Sequence, residues 1–356
     1  MLTQDSAYRV GLCGCGSSLE FYAGIESVRE PFQLVAVADS DPDAKRLACE
    51  KWHVPSAYST LKEMLENEDL QVVLITTPPA ERLDLIAQAS IRGVHVLVQK
   101  PLARTLSEAE QIFGVCRKNN VALRVSFARR YSPAFQAASR LVGRLGRQLT
   151  LRVRWCSSSG LKPRVRKVWK EQLDTLGGVL VDLGTHVVDV ARWWMGDIKD
   201  GHLTMSIVRG ELENIASFLL THASGGSTIC YLSNVEQSSS EIYEYVAQFG
   251  GFTLERRAEG YPGVWMLRSW RTEESSQMTE HFEPPSVNPF LNEIVDFISA
   301  ICRNEITIDA GKLGIEALWT TTLLYRSASF NKECDLEDFP LEDFFADQGR
   351  AKVFTP

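Results

Sequence analysis

The chain has 356 residues, 44% of them hydrophobic and 23% charged, with 38 Lys and Arg against 45 Asp and Glu for a net charge of −7. It exceeds the roughly 250–300 residues at which single cores stop growing, so two domains are expected, and its apolar content excludes a disordered or fibrous chain. The acidic balance, with basic residues not gathered into a stripe, excludes a general nucleic-acid or anionic-membrane surface.

In the first third, short apolar runs alternate with amphipathic stretches, the pattern of βα units stacked into a parallel sheet. Residues 8–13, 33–38, 71–76 and 94–98 are nearly continuous runs rich in Val, Leu and Ile, suited to strands covered on both faces. Between them the pattern predicts helices near 18–29, 42–52, 60–66 and 80–92. A helix over 105–119, opened by a Thr105/Glu108 capping box, and a strand at 121–126 complete this part. Beyond residue 127 come longer strands with polar alternation, near 147–156, 202–210, 213–222, 227–235, 243–249, 252–257 and 263–269. Gly-rich turns such as Ser224-Gly225-Gly226 join them, which predicts a mostly antiparallel sheet with helices at 179–195, 289–303 and about 310–330. The Phe-rich tail from Cys334 to Pro356 either packs across a surface or ends the chain loosely.

Eight cysteines, Cys13, Cys15, Cys49, Cys116, Cys156, Cys230, Cys302 and Cys334, include no CxxC pair and no zinc-finger spacing. Free thiols in a reducing compartment, and no metal site, are expected. Residues 1–8 lack the apolar core of a secretory signal. No run approaches the roughly 18 to 20 apolar residues of a membrane span, so the protein is expected to be soluble and cytoplasmic, with no membrane partner.

The first predicted strand runs into Gly14-Cys15-Gly16-Ser17-Ser18-Leu19 and then a helix. Small residues where a strand turns tightly into a helix allow backbone N–H groups to hold a pyrophosphate. Leu19 stands where the full glycine fingerprint has its third small residue, so an ordinary strand-to-helix turn is the other reading. Asp39 closes the second strand, 23 residues after Gly16, where a carboxylate accepts ribose hydroxyls. It also repels a 2′-phosphate, and neighbouring Ser40 and Asp41 supply no cation, so NAD is preferred over NADP; a plain turn or cap role for Asp39 is the alternative.

Gln99-Lys100-Pro101 follows the strand at 94–98, which sets Lys100 at the carboxyl edge of the parallel sheet, where such sheets bind ligands. Further on, Gly177-Gly178 opens an apolar helix on which Asp182, His186 and Asp189 lie four and then three residues apart, on one face. A carboxylate one turn before a histidine fixes the imidazole tautomer and stabilises its charged form. A solvent-facing lysine and a core histidine satisfied by an aspartate are the competing readings.

Taken in order, Gly14-Cys15-Gly16, Asp39, Thr76-Thr77-Pro78, Gly93 to Pro101, Arg130-Tyr131-Ser132-Pro133 and Gly177 to Asp189 resemble the Gfo/Idh/MocA oxidoreductases over nearly the whole chain. The resemblance implies an α/β protein: a doubly wound Rossmann domain over 1–127, and a substrate-binding and oligomerisation domain over 128–356 with a large open, mostly antiparallel sheet. It implies NAD(P)-dependent chemistry on sugars, cyclitols or their derivatives, and dimers or tetramers formed through that sheet. Lys100, Asp182 and His186 take the catalytic positions. Gly14, Cys15, Gly16, Ser17, Ser18, Asp39, Ser40, Thr76, Thr77, Pro78, Gln99, Lys100 and Arg130 take the cofactor positions. Arg130 and Tyr131 reach substrate beside the catalytic residues. The basic stretch 162–170, through Arg164 and Trp169, either recognises an anionic sugar group or is a solvated loop. The family usually has Glu where Gln99 stands and His where Arg82 stands.

Alcohol oxidation needs a base, a cation for the developing alkoxide and a hydride acceptor, here His186, Lys100 and NAD, with Asp182 orienting His186. Rival readings are a non-catalytic NAD-binding regulator, an NAD-dependent glycosidase on the same scaffold, and reduction of a non-sugar ring or diol.

Overall fold

The computed structural model describes residues 7–16, 18–28, 30–161, 178–210, 212–256, 264–272, 277–282, 288–305 and 309–329. The chain divides into two units, Met1–Ala128 with Ser286–Ile315, and Arg129–Pro285 with Glu316–Pro356.

In the first unit, β1 (Tyr8–Cys13), β2 (Phe32–Ala38), β3 (Ser56–Tyr58), β4 (Val72–Ile75), β5 (His95–Gln99) and β6 (Leu123–Ser126) form a parallel sheet. Its order is β3-β2-β1-β4-β5-β6, the doubly wound arrangement whose direction reverses between β1 and β4. All four residues of β4 are buried, as a strand covered on both faces requires. The expected helix over 18–29 is instead a short α1 (Ser18–Phe21) and a 3₁₀ turn at Ile25–Ser27, separated by Gly24 at φ +91°. Several of the other helices start on side-chain caps. Asp41 accepts from the amides of Asp43 and Ala44 at the head of α2 (Pro42–Trp52), and Thr60 accepts from Glu63 at α3 (Leu61–Asn67). α4 is Arg82–Ile91. At α5 (Leu106–Lys118) Thr105 accepts from the Glu108 amide, while the Glu108 carboxylate reaches one residue beyond the usual box, to the Arg104 amide.

The second unit contains α6 (Pro133–Val142), in addition to the helices expected from the sequence. Its sheet contains β7 (Gln148–Cys156), β8 (Ile198–Ser206), β9 (Ile215–His222), β10 (Ser227–Ser233), β11 (Ser240–Ala247), β12 (Gly250–Arg256), β13 (Trp265–Arg271) and β14 (Gln277–Phe282). The order is β14-β13-β12-β11-β7-β10-β9-β8, antiparallel throughout except for the parallel pair β7 and β10. Burial alternates along β11, so one sheet face is covered. α6 and α7 (Thr185–Met195) cover it, with Phe135 stacked on Trp194 at 5.8 Å and edge-on to Tyr243 at 5.2 Å. On the open face Leu219 and Ile229 are exposed.

One assignment needs correction. Residues 128–356 are not all second-unit: α8 (Pro289–Cys302) belongs to the first. Phe290, Leu291, Ile294, Phe297, Ile298 and Ile301 join Val10, Leu12, Tyr22, Phe32 and Trp52 in one core. Phe290 stacks on Phe21 at 5.2 Å, and Asn288 both caps the helix and donates to the Phe21 carbonyl. A one-sided apolar helix must bury its stripe, but its sequence does not say against which sheet. α9 (Asp309–Ser329) follows. Among the described residues no helix is long and apolar enough to cross a membrane.

Candidate functional site

At the carboxyl edge of the first sheet, β1 leads into Gly14, whose φ of +97° suits glycine. A Cβ there would sit 2.7 Å from Thr76 Oγ1 and 2.9 Å from the Thr77 amide nitrogen. Thr76 Oγ1 donates to the Gly14 carbonyl, and Ser18 Oγ donates to the same oxygen at 2.9 Å. The Cys15 amide donates to Asp39 Oδ2 at 2.6 Å and the Asp41 amide to Oδ1 at 2.8 Å, so Asp39 ties the loop after β2 to the glycine turn. A carboxylate has about four acceptor sites, which leaves lone pairs for ribose hydroxyls. Cys13 and Cys15 are packing residues rather than a redox pair: burial pushes both thiols up to about 12.

Two observations test the fit of a dinucleotide here. A Cβ on Gly16 would meet none of the described residues within 4 Å, so among them the turn faces open space. Thr77 Oγ1 is buried with no hydrogen-bond partner among the described residues. Gly14, Cys15, Gly16, Asp39, Thr76 and Thr77 are brought together at the switch point between β1 and β4. Ser40 is exposed beside them, and Ser17 lies outside the described residues.

At the end of β5, Gln99 and Lys100 are buried and the Lys100–Pro101 bond is cis. The Gln99 amide donates to Tyr22 OH at 3.2 Å and to Ser126 Oγ at 3.3 Å. Ser126 Oγ donates onward to Glu293 Oε2 at 2.5 Å, and the Phe127 amide to Glu293 Oε1 at 2.9 Å. Position 99 is therefore a donor, and the carboxylate closing this buried chain comes from α8. Nothing in the sequence pointed to Glu293. Arg82, also buried, reaches the main chain on both sides of Lys100.

In the second unit, the segment bearing Asp182 and His186 is not the uniform α-helix expected over 179–195. Leu180–Gly184 forms a π turn that runs into α7. Such turns are frequent at functional sites. Asp182 and His186 remain partly exposed, whereas Asp189 turns inward. Its carboxylate receives Arg130 Nε at 2.9 Å and Nη2 at 2.8 Å, and the Arg130 guanidinium lies 5.2 Å over the Trp193 ring. The expected polar stripe thus divides into a partly open pair and a buried anchor for Arg130. Trp155, unremarked in the sequence, lies 5.8 Å from the His186 ring with Arg129 stacked on it at 4.2 Å. Tyr131 closes the 3₁₀ turn Ala128–Tyr131 that carries Arg130. Arg164 and Trp169 lie outside the described residues.

Glu213 anchors the start of this helix. Its main-chain oxygen accepts from the Val179 amide at 3.1 Å, and Oε1 accepts from the Leu180 amide at 3.0 Å and Tyr325 OH at 2.9 Å. Gly178, at φ +105°, leaves room for that carboxylate: a Cβ would lie 2.2 Å from Oε1. Burial pushes the Glu213 carboxyl up to about 7 from 4.5. Because the folded value is raised, the group's stabilisation is full below the unfolded value and is lost as pH rises through about 7. At about 1.4 kcal/mol per unit, the span is on the order of 3 kcal/mol. Urea midpoints measured between acid and mildly alkaline pH should therefore fall in the wild type relative to Glu213→Gln. Parallel curves for the two proteins would refute this.

Residues 8–127 match the profile of the Gfo/Idh/MocA oxidoreductase family, described as an NAD-binding Rossmann fold, and residues 135–249 match the family's C-terminal domain. The chain is 28% identical to D-apiose dehydrogenase of Paraburkholderia graminis over 252 residues, 68% of this chain and just under two thirds (64%) of that protein. It is 24% identical to myo-inositol 2-dehydrogenase of Thermotoga maritima over 342 residues, 93% of this chain and 99% of the relative. In fold it resembles levoglucosan dehydrogenase in complex with NADH, with a TM-score of 0.80 at 18% identity, covering 91% of this chain and 98% of the other.

Proposed function

Because the chain belongs to the Gfo/Idh/MocA family of NAD-binding oxidoreductases, we propose that it is an NAD-dependent dehydrogenase of a sugar or cyclitol, moving a hydride between the nicotinamide and a hydroxyl-bearing carbon. The observation that carries this reading is the glycine turn tied to Asp39, with Lys100 at the carboxyl edge of the same sheet. The sugar and cyclitol dehydrogenases among the relatives supply the substrate class.

When bound, NAD supplies the hydride acceptor. The Gly14–Gly16 turn leaves backbone space for its phosphates, Asp39 takes the ribose hydroxyls, and Thr76, Thr77 and Pro78 line the same crevice. His186 removes the proton from the substrate hydroxyl at an imidazole nitrogen, and Lys100 holds the oxygen as negative charge develops. Asp182, one turn earlier, favours the charged imidazole, and Trp155 against the ring limits its orientation. Ketone reduction uses the same groups in reverse. The reading includes a cytoplasmic protein, given the free cysteines among the described residues, and self-association through the sheet face where Leu219 and Ile229 are exposed.

NADH formation measured against a panel of aldoses, anhydrosugars and inositols tests the reading, with NAD and NADP compared. Turnover of at least one panel member, with NAD favoured at least about tenfold as Asp39 demands, is expected. Glycosidic cleavage with bound NAD and no net NADH release would replace the dehydrogenase with the glycosidase reading; NAD binding with no turnover of any kind would leave the regulator.

A further inference from the structure

Arg82 is 1% exposed, yet every hydrogen bond it makes goes to a main-chain carbonyl. Nε and Nη2 donate to the Thr77 oxygen at 3.0 and 2.8 Å, while Nη1 donates to the oxygens of Gln99 and Pro101. One planar guanidinium thus bridges the loop after β4, which carries Thr76, Thr77 and Pro78, to both residues flanking Lys100. We propose that Arg82 is a positioning residue that holds Lys100 in register with the cofactor-lining loop, so that the two loops move as one body.

The chemistry requires an arginine. A rigid fork with five N–H donors can span three carbonyls, whereas lysine is a point donor on a flexible stem. Desolvation pushes its pKa down to about 9, which leaves it protonated, and a donor to every partner, at neutral pH. Carbonyls left unpartnered in this buried place would pull the Lys100 segment toward other donors. A shift of about 1 Å in a catalytic group costs on the order of 10²-fold in rate.

The inference rests on the dehydrogenase reading for its kinetic arm and stands apart from it in its exchange arm. With whichever sugar or cyclitol the wild type turns over, Arg82→Met should lower kcat by about 10- to 100-fold and leave substrate KM within about threefold. In a Lys100→Met background the same change should cost less than about threefold more, because Arg82 acts through Lys100. A kcat within about threefold of wild type, or an equal loss with and without Lys100, overturns the proposal. Should Arg82→Met not fold, Arg82→Lys decides. It keeps the charge but not the fork, so lowered kcat at unchanged KM supports the clamp and wild-type kcat overturns it. If the wild type turns over nothing in the panel, the functional reading falls while amide hydrogen exchange still tests the clamp. In either variant, peptides over residues 74–84 and 97–104 should lose protection together, and loss at one loop alone, or at neither, overturns it.

Discussion

Replacing His186 with Asn, or Lys100 with Met, is expected to lower kcat by about 10²- to 10⁴-fold, the range that a positioned acid–base or charge-stabilising group contributes. Neither change should weaken NAD binding more than about threefold, since the proposed holders of the dinucleotide are the Gly14–Gly16 turn and Asp39. The two variants should differ in signature. Without His186 the acid limb of the kcat/KM profile for alcohol oxidation flattens, because that limb reports loss of the proton from the base. Without Lys100 the limb remains and the whole profile drops. Isothermal titration with NAD and steady-state rates across pH measure both. Near-wild-type rates in both variants would remove Lys100 and His186 from the mechanism.

A second large effect is expected from Gly14→Ala. The new Cβ would meet Thr76 Oγ1 at 2.7 Å and the Thr77 amide nitrogen at 2.9 Å, and it would force φ +97° on an L-residue. The Thr77 backbone cannot swing aside as a long side chain would, so the turn must open and lose the Thr76 bond to the Gly14 carbonyl. NAD affinity should fall by at least about 100-fold, with stability lowered by roughly 1–3 kcal/mol. Gly16→Ala is the matched control. Its Cβ meets none of the described residues within 4 Å, so stability should hold within about 0.5 kcal/mol while NAD affinity drops if, as proposed, the phosphates occupy the space the added methyl would fill. If the two alanines behave alike in urea melts and in NAD titration, this account of the cradle is wrong.

The glycine turn, Asp39 and Lys100 were legible in the chain because each depends on local geometry: a strand end, a tight turn and a spacing to the next strand. The Thr105/Glu108 box was legible for the same reason, though the Glu108 carboxylate reaches Arg104 rather than the cap itself. Asp189 illustrates the limit. Spacing placed it on a face with Asp182 and His186, yet its role follows from Arg130, 59 residues away, which draws it inward as a buried ion pair. Trp155 and Glu213 left no local mark, because each acquires meaning only from what another strand or helix brings beside it. The short β3 and the edge strand β14 were missed for want of a sustained apolar pattern.

Periodicity and turn chemistry by themselves determined two kinds of sheet and the glycine turn after β1, since a strand's burial and a glycine's freedom are properties of a few consecutive residues. Only the tertiary structure decided that α8 completes the core of the first unit and that Glu293 ends the hydrogen-bond chain from Gln99. It likewise decided that Arg82, standing where the family resemblance expects histidine, ties the lysine loop to the threonine loop. The physical reason is common to all three. A buried apolar stripe, carboxylate or guanidinium must find a partner, and the residues that satisfy it are chosen by proximity in the fold rather than along the chain.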